Sequence, residues 1–386
     1  MQKRAIPILY INQTAVHGGA EEVLLHTMRA TRQQGYTPLL VVPAEGWLTT
    51  QCRAAHIPCI LLPSLPNIVV SDTWQQQFKP WLLNGIALAQ IIRNYKVKLV
   101  HANTPRAAYH GGLAARIARI PIVNHCHDML TLPYSSPPKA RLLNALSDAI
   151  ITVSDAVATV VQQFAPYLAP KITRIYNGLP PSQYDAVFPA DLRPFGITDE
   201  CFVIGSVSAM APLKGQDVLI EAFALIHERL PQLRLVIVGG AHGNQQQQGY
   251  ERQLWERVAA LGLQEKIVFT GWREDVWSLL GSFDVFAHVP TLADSLPTVL
   301  LHASALGRPN VASRIGGIPE IVVDGATGWL VPPSDAPALA DKLAQLVAQP
   351  EQRIAFGKAA QKHFLETFSF EEMARNLGQL YKRVLS

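Results

Sequence analysis

Short runs rich in Val, Ile and Leu alternate with longer segments of helical period, first over residues 6–176 and again from residue 202 onward. In the first stretch, residues 6–11, 39–42, 59–62, 98–101, 122–125, 150–153 and 172–176 read as strands. Between them, 21–34, 75–95, 107–118, 141–146 and 155–164 carry apolar residues at helical spacing. The strands are apolar along their whole length rather than at alternate positions, so they need cover on both faces. A parallel sheet flanked by helices meets that need. The second stretch opens with 202–207 and continues through the buried-strand patterns at 235–240 and 267–272. With 386 residues, 49% of them hydrophobic, the chain exceeds the roughly 250 residues that one core usually serves. The expectation is two Rossmann-like α/β domains, residues 1–178 and 201–369. The turn-rich stretch 179–200, with Pro180-Pro181 and Pro194-Phe195-Gly196, reads as the linker.

Several classes are set aside by composition. Cys52, Cys59, Cys126 and Cys201 show no C-x-x-C pair, which argues against a disulfide framework or a zinc site and for a reducing compartment. Residues 1–11 lack a signal-peptide core and no run reaches the ~20 apolar residues of a membrane span, so the expected location is cytoplasmic. The charge is uneven: residues 1–178 hold 16 Lys and Arg against 7 Asp and Glu, whereas 179–386 hold 17 against 22. A basic half suits an anionic membrane surface or an acidic acceptor, with solvated surface charge as the plain alternative. Nucleic acid is not expected, because no Lys/Arg block or aromatic-basic interleaving is present.

The most informative stretch is residues 290–310, PTLADSLPTVLLHASALGRPN. It follows a strand pattern and leads into an apolar helical pattern, so a strand-loop-helix turn aims unpaired backbone N–H groups at whatever lies beyond the strand end. Ser295 is placed to cap that helix and Pro297 suits its first turn. After the first strand, Gly18-Gly19-Ala20-Glu21 opens a helix, and paired glycines permit positive φ and close approach of a ligand. Strand ends in the first half present His101, Asn103, His125, His127 and Asp128, the positions that line ligand crevices in open α/β sheets. Adjacent strand residues face opposite ways, so His125-Cys126-His127 is not a metal-ligand set. In the second half, Lys214-Gly215 stands at a loop-helix junction, where a lysine opposes the helix dipole and implies an anionic partner. The tract 243–249 reads as a flexible polar loop ahead of a helix over 250–261.

These stretches resemble glycosyltransferase family 4, the retaining nucleotide-sugar-dependent transferases of the GT-B fold, over essentially the whole chain. The family's signature places a Glu and, eight positions on, a second Glu around the donor. Here the frame Ser295-Leu296-Pro297-Thr298 is kept, while Asp294 and His302 stand at its two ends. The resemblance implies two Rossmann-like domains with parallel sheets facing a central cleft, and a C-terminal helix, about 370–386, crossing back onto the first domain. It places Gly18 and Gly19 beneath the donor phosphates, His127-Asp128 near the sugar, and Lys214-Gly215 on the diphosphate. It also places Ser295–Thr298 at the phosphates and His302 at the ribose. Where the family has an Arg five residues before the Lys, this chain has Ala209.

The reading is a retaining glycosyltransferase that moves a hexosyl or related unit from a nucleotide sugar to a glycan or lipid-linked acceptor in cell-surface polysaccharide or glycolipid synthesis. Catalytic candidates are His127, Asp128 and Asp294. Donor-binding candidates are Gly18, Gly19, Lys214, Gly215, Ser295, Leu296, Pro297, Thr298 and His302. Neither a metal nor a separate cofactor is expected. Asp294, His302 and Ala209 also fit a second reading, a catalytically silent sugar- or nucleotide-binding protein of the same fold. A sugar-nucleotide epimerase on that fold is a third.

Overall fold

The computed structural model describes residues 5–65, 74–129, 137–241 and 245–386. These form two compact units, Met1–Gly178 with Ser369–Ser386, and Leu179–Phe368. Among the described residues no helix is long and apolar enough to cross a membrane.

The first unit is built on seven strands: β1 (Ile6–Ile11), β2 (Tyr36–Val42), β3 (Cys59–Leu61), β4 (Leu99–Ala102), β5 (Ile122–Cys126), β6 (Ala149–Thr152) and β7 (Ile172–Arg174). All neighbours are parallel, in the order β3-β2-β1-β4-β5-β6-β7. The chain works outward from β1 on one side and, after β4, outward on the other. Loops leaving β1 and β4 therefore diverge, which is where an open sheet makes its ligand crevice. Helix starts follow from local chemistry: Thr104 accepts from the Ala107 N–H at 3.0 Å with Pro105 in the first turn, and Ser154 accepts from the Val157 N–H at 3.1 Å. The C-terminal helix Phe370–Leu385 belongs to this unit. Its Phe370, Met373, Leu377 and Tyr381 recur at helical spacing and pack with Leu24, Met28 and Tyr36.

The second unit has six parallel strands: β8 (Phe202–Val207), β9 (Leu233–Val238), β10 (Ile267–Gly271), β11 (Val285–His288), β12 (Asn310–Ser313) and β13 (Gly328–Val331). Their order is β10-β9-β8-β11-β12-β13, so the crevice position here is the pair β8 and β11. Residues 179–200 lie against this unit rather than standing clear of it. The Ala190 N–H donates to the Ser278 carbonyl at 2.9 Å, and Leu192 and Ile197 are buried.

The polar tract does not form a loop throughout. Residues 242–244 lie outside the described residues, but helix Gln245–Ala260 already begins at the first glutamine of the run. Tyr250, Leu254 and Val258, four apart, seat one face in the core, and glutamine is a good helix former, so the ordered face recruits the residues ahead of it.

Candidate active site

In the second unit the loops after β8 and β11 are stitched together. Lys214 ends a 3-10 turn, Pro212–Lys214, and Gly215 follows with φ +69° at the start of helix Gln216–Ile226. A Cβ on Gly215 would come within 2.0 Å of the Val289 carbonyl oxygen, so only glycine lets this turn dock against the exit of β11. The Thr291 N–H adds a bond to the Leu213 carbonyl at 3.0 Å. Held this way, Lys214 Nζ donates to Asp294 Oδ2 at 2.7 Å. The Asp294 carbonyl is fixed in turn by the Gly317 N–H at 2.9 Å.

The anion that Lys214 faces here is thus a carboxylate of its own chain. Burial alone would raise the Asp294 carboxyl's pKa, but His288 and Lys214 overrule it and hold the group well below the usual carboxylate range. His288, at the carboxyl end of β11, is 1% exposed, and its Nε2 lies 3.9 Å from Asp294 Oδ2, beyond direct hydrogen bonding. Burial lowers the His288 pKa, with Asp294 opposing and the Lys214 charge assisting. His288 was missed in the sequence, although its place at a strand end was the available signal.

The helix after this loop starts later than expected. It spans Thr298–Ala305 with Pro297 as its flanking residue, and no side chain caps it, Ser295 included. A residue before proline is disfavoured in the helical region, and Pro297 itself is extended, with ψ 111°, so the helix begins only once Pro297 has passed. Leu296 is buried, while Ser295 and Thr298 are half-buried. His302 lies one turn in, 8% exposed, with its ring stacked on Trp277 at 4.0 Å and 26°. Trp277 carried no sequence signal, since nothing local pairs it with a residue 25 positions on.

In the first unit the glycine pair acts differently from the expectation. Gly18 is extended, with φ −162°, and Gly19 is already helical; neither uses a positive φ. Gly18 instead leaves space: a Cβ there would meet Glu21 Oε2 at 2.7 Å. Glu21 turns inward, where Oε1 accepts from Asn12 Nδ2 at 3.0 Å. Beside this loop His17 stacks on Trp47 at 4.2 Å.

His127 and Asp128, adjacent in sequence, have opposite surroundings. Asp128 is exposed, whereas His127 is 7% exposed and its Nε2 lies 2.9 Å from Asn103 Oδ1. One face of the His127 ring is covered by His125, with centroids 4.0 Å apart. His125 Nδ1 is 3.2 Å from His101 Nε2, and His101 Nδ1 is 2.6 Å from the Tyr381 hydroxyl of the C-terminal helix. Burial pushes His127 and His101 down to about 3 and His125 well below its usual value, so all three rings are neutral near pH 7. Asn103 was singled out in the sequence as a strand-end residue, but Asn12, at the matching position after β1, was not.

Residues 17–183 match the family described as Glycosyltransferase Family 4, and residues 188–363 match the one described as Glycosyl transferases group 1. The D-inositol 3-phosphate glycosyltransferase of Stackebrandtia nassauensis is 31% identical over 385 residues, covering 92% of this chain and 82% of that protein. The protein of the same name from Corynebacterium urealyticum is 38% identical over 196 residues, covering 49% of this chain and only 45% of that protein. Among solved structures, Anabaena Alr3699/HepE in complex with UDP and glucose superposes with a TM-score of 0.82 at 26% identity, over 98% of this chain and 100% of that one.

Proposed function

Because the chain belongs to glycosyltransferase family 4 and has the GT-B fold, we propose that it transfers a glycosyl unit, with retention, from a nucleotide sugar to a hydroxyl of a glycan or lipid-linked acceptor. The observation that carries this reading is the Lys214–Asp294 pair at the β8 and β11 strand ends of the second unit. An ammonium has three protons. Lys214 can keep its bond to Asp294 and still give two to a diphosphate, while Asp294 Oδ1 remains to accept from a sugar hydroxyl. The N–H groups at the start of helix Thr298–Ala305 add donors for the same phosphates. His302, steadied by Trp277, is assigned to the ribose.

Catalysis of this kind depends mainly on stabilising the departing diphosphate, and one preorganised donor of that sort is worth roughly 2.7–4 kcal/mol. Lys214 and the helix start supply such contacts from the protein itself. With Ala209 in place of an arginine, Lys214 carries a larger share. In the first unit, Gly18, Gly19, His127 and Asp128 serve the sugar and the incoming hydroxyl. A silent binding protein gains no support from relatives named as transferases. A UDP donor is favoured by the UDP and glucose of the Anabaena complex, and the name of the Stackebrandtia protein adds a phosphorylated polyol as a second acceptor class.

The experiment is titration calorimetry with UDP, GDP and uridine, followed by assay of nucleoside diphosphate release from UDP-glucose and GDP-mannose. Binding of at least one diphosphate well ahead of uridine is the expected result. Failure of every diphosphate to bind at millimolar concentration would count decisively against a donor site in the second unit.

A further inference from the structure

The polar chain beneath the Ala15–Glu21 loop can run in one direction only. Asn12, Asn103 and His127 stand just past the carboxyl ends of β1, β4 and β5. Asn12 Nδ2 is 2.7 Å from the Thr14 carbonyl oxygen, which can only accept, so this nitrogen is the donor, and its second proton goes to Glu21 Oε1 at 3.0 Å. The Asn12 oxygen is therefore turned toward Asn103, whose Nδ2 donates to it at 3.0 Å and also faces the Ala20 carbonyl at 3.3 Å. Two main-chain carbonyls thus fix the orientation of both amides without any choice of amide flip. What remains for His127 Nε2 is Asn103 Oδ1 at 2.9 Å, an atom that only accepts.

We propose that Glu21, Asn12 and Asn103 are positioning residues that lock His127 in the tautomer with its proton on Nε2, so that Nδ1 is presented as a bare acceptor for a substrate hydroxyl. The proposal rests on the reading of His127 as a site residue. A neutral imidazole has one donor and one acceptor nitrogen, and without the amide chain either nitrogen can carry the proton. The chain removes that freedom. His125, tilted by 35° against one face and itself held through His101 and Tyr381, blocks the ring from turning away. Gly18 acquires a role as well, since a side chain there would strike the Glu21 carboxylate that ends the chain. An acceptor at Nδ1 suits either orientation of a sugar hydroxyl or removal of its proton as the glycosidic bond forms. In the second case the proton leaves the attacking oxygen for Nδ1.

The test uses the full chain labelled with [15N]histidine. Long-range proton–nitrogen correlation reports which ring nitrogen carries the proton, and comparison with His127→Gln assigns the His127 signals. The wild type is expected to show protonation of Nε2 alone. A wild-type His127 protonated on Nδ1, or an even mixture, overturns the proposal without any variant having to fold. Asn103→Leu removes the acceptor and should give mixed tautomers and a kcat lower by about 10²-fold, the scale of a lost proton-transfer contact, with UDP affinity within about twofold. Asn103→Asp keeps an acceptor at Nε2 and should restore the single tautomer, at a cost in stability because its second oxygen faces the acceptors Asn12 Oδ1 and the Ala20 carbonyl. Its carboxylate also stabilises the imidazolium, so the acid limb of the kcat profile should move to higher pH. An unchanged His127 spectrum in Asn103→Leu shows that Asn103 does not set the tautomer. Full activity in His127→Gln defeats a different claim, the role of His127 itself, whatever the spectra show.

Discussion

Lys214 Nζ and Asp294 Oδ2 meet at 2.7 Å across eighty residues of sequence, joining the loops that leave β8 and β11. The pair is mostly shielded, at 24% and 18% side-chain exposure, so solvent screens it less than a surface ion pair. In the proposed donor site the pair would link the stability of the second unit to donor affinity.

Lys214→Ala is expected to weaken UDP binding by about 10- to 100-fold, the equivalent of one charged hydrogen bond of roughly 1.5–3 kcal/mol. Uridine, without phosphates, should lose little. Calorimetry that finds equal losses for both ligands would remove Lys214 from the phosphates.

Asp294→Asn tests the same pair from the other side. The folded-state pKa of Asp294 is depressed. Its stabilisation is therefore present above the ordinary carboxyl value of about 4 and is lost as pH falls through the lower folded value. The stability gap between wild type and Asp294→Asn should be full at pH 6 and narrow below about pH 4. Urea unfolding at a series of pH values measures it, and a gap that widens on acidification is inconsistent with the pairing.

The buried histidines act at higher pH. His101 and His127 stay neutral in the folded chain down to about 3, whereas an unfolded histidine protonates near 6.5. Between those values the unfolded state binds more protons, so stability falls as pH drops from about 6.5, by at most about 1.4 kcal/mol per pH unit for each ring. Urea midpoints that stay flat between pH 7.5 and 5.5 would show that these rings are not held neutral.

His302→Glu is expected to tighten UDP binding, because a carboxylate accepts from both ribose hydroxyls while a neutral imidazole has one acceptor. Trp277→Ala removes the ring stacked on His302 at 4.0 Å and should weaken UDP binding in the wild-type background more than in His302→Glu, where no imidazole needs steadying. If His302→Ala leaves UDP affinity unchanged, the ribose assignment is wrong.

The basic first half, with 16 Lys and Arg against 7 Asp and Glu, is expected to bring the protein onto vesicles containing anionic lipid at low salt and to release it as salt rises. Co-sedimentation at several salt concentrations reads this directly. Binding absent at low salt, or indifferent to salt, excludes the membrane surface as a partner.

The sequence alone determined the fold class. Strand runs and helical periods are local patterns, and two parallel α/β units follow from runs apolar along their whole length that need cover on both faces. Family membership was likewise legible, because Lys214-Gly215 and the frame Ser295-Leu296-Pro297-Thr298 are contiguous motifs. Local rules erred where two of them competed. Ser295 looked like a cap, but Pro297 delayed the helix to Thr298, and glutamines that looked like a loop were drawn into a helix by Tyr250, Leu254 and Val258. What only the tertiary structure decided is which distant groups meet. Asp294 was visible, yet its neighbours Lys214 and His288 depend on β8 lying beside β11. Asn12, Asn103 and His127 can join only because β1, β4 and β5 are consecutive in the sheet. Strand order is set by the packing of the whole domain, and no local pattern in the sequence records it.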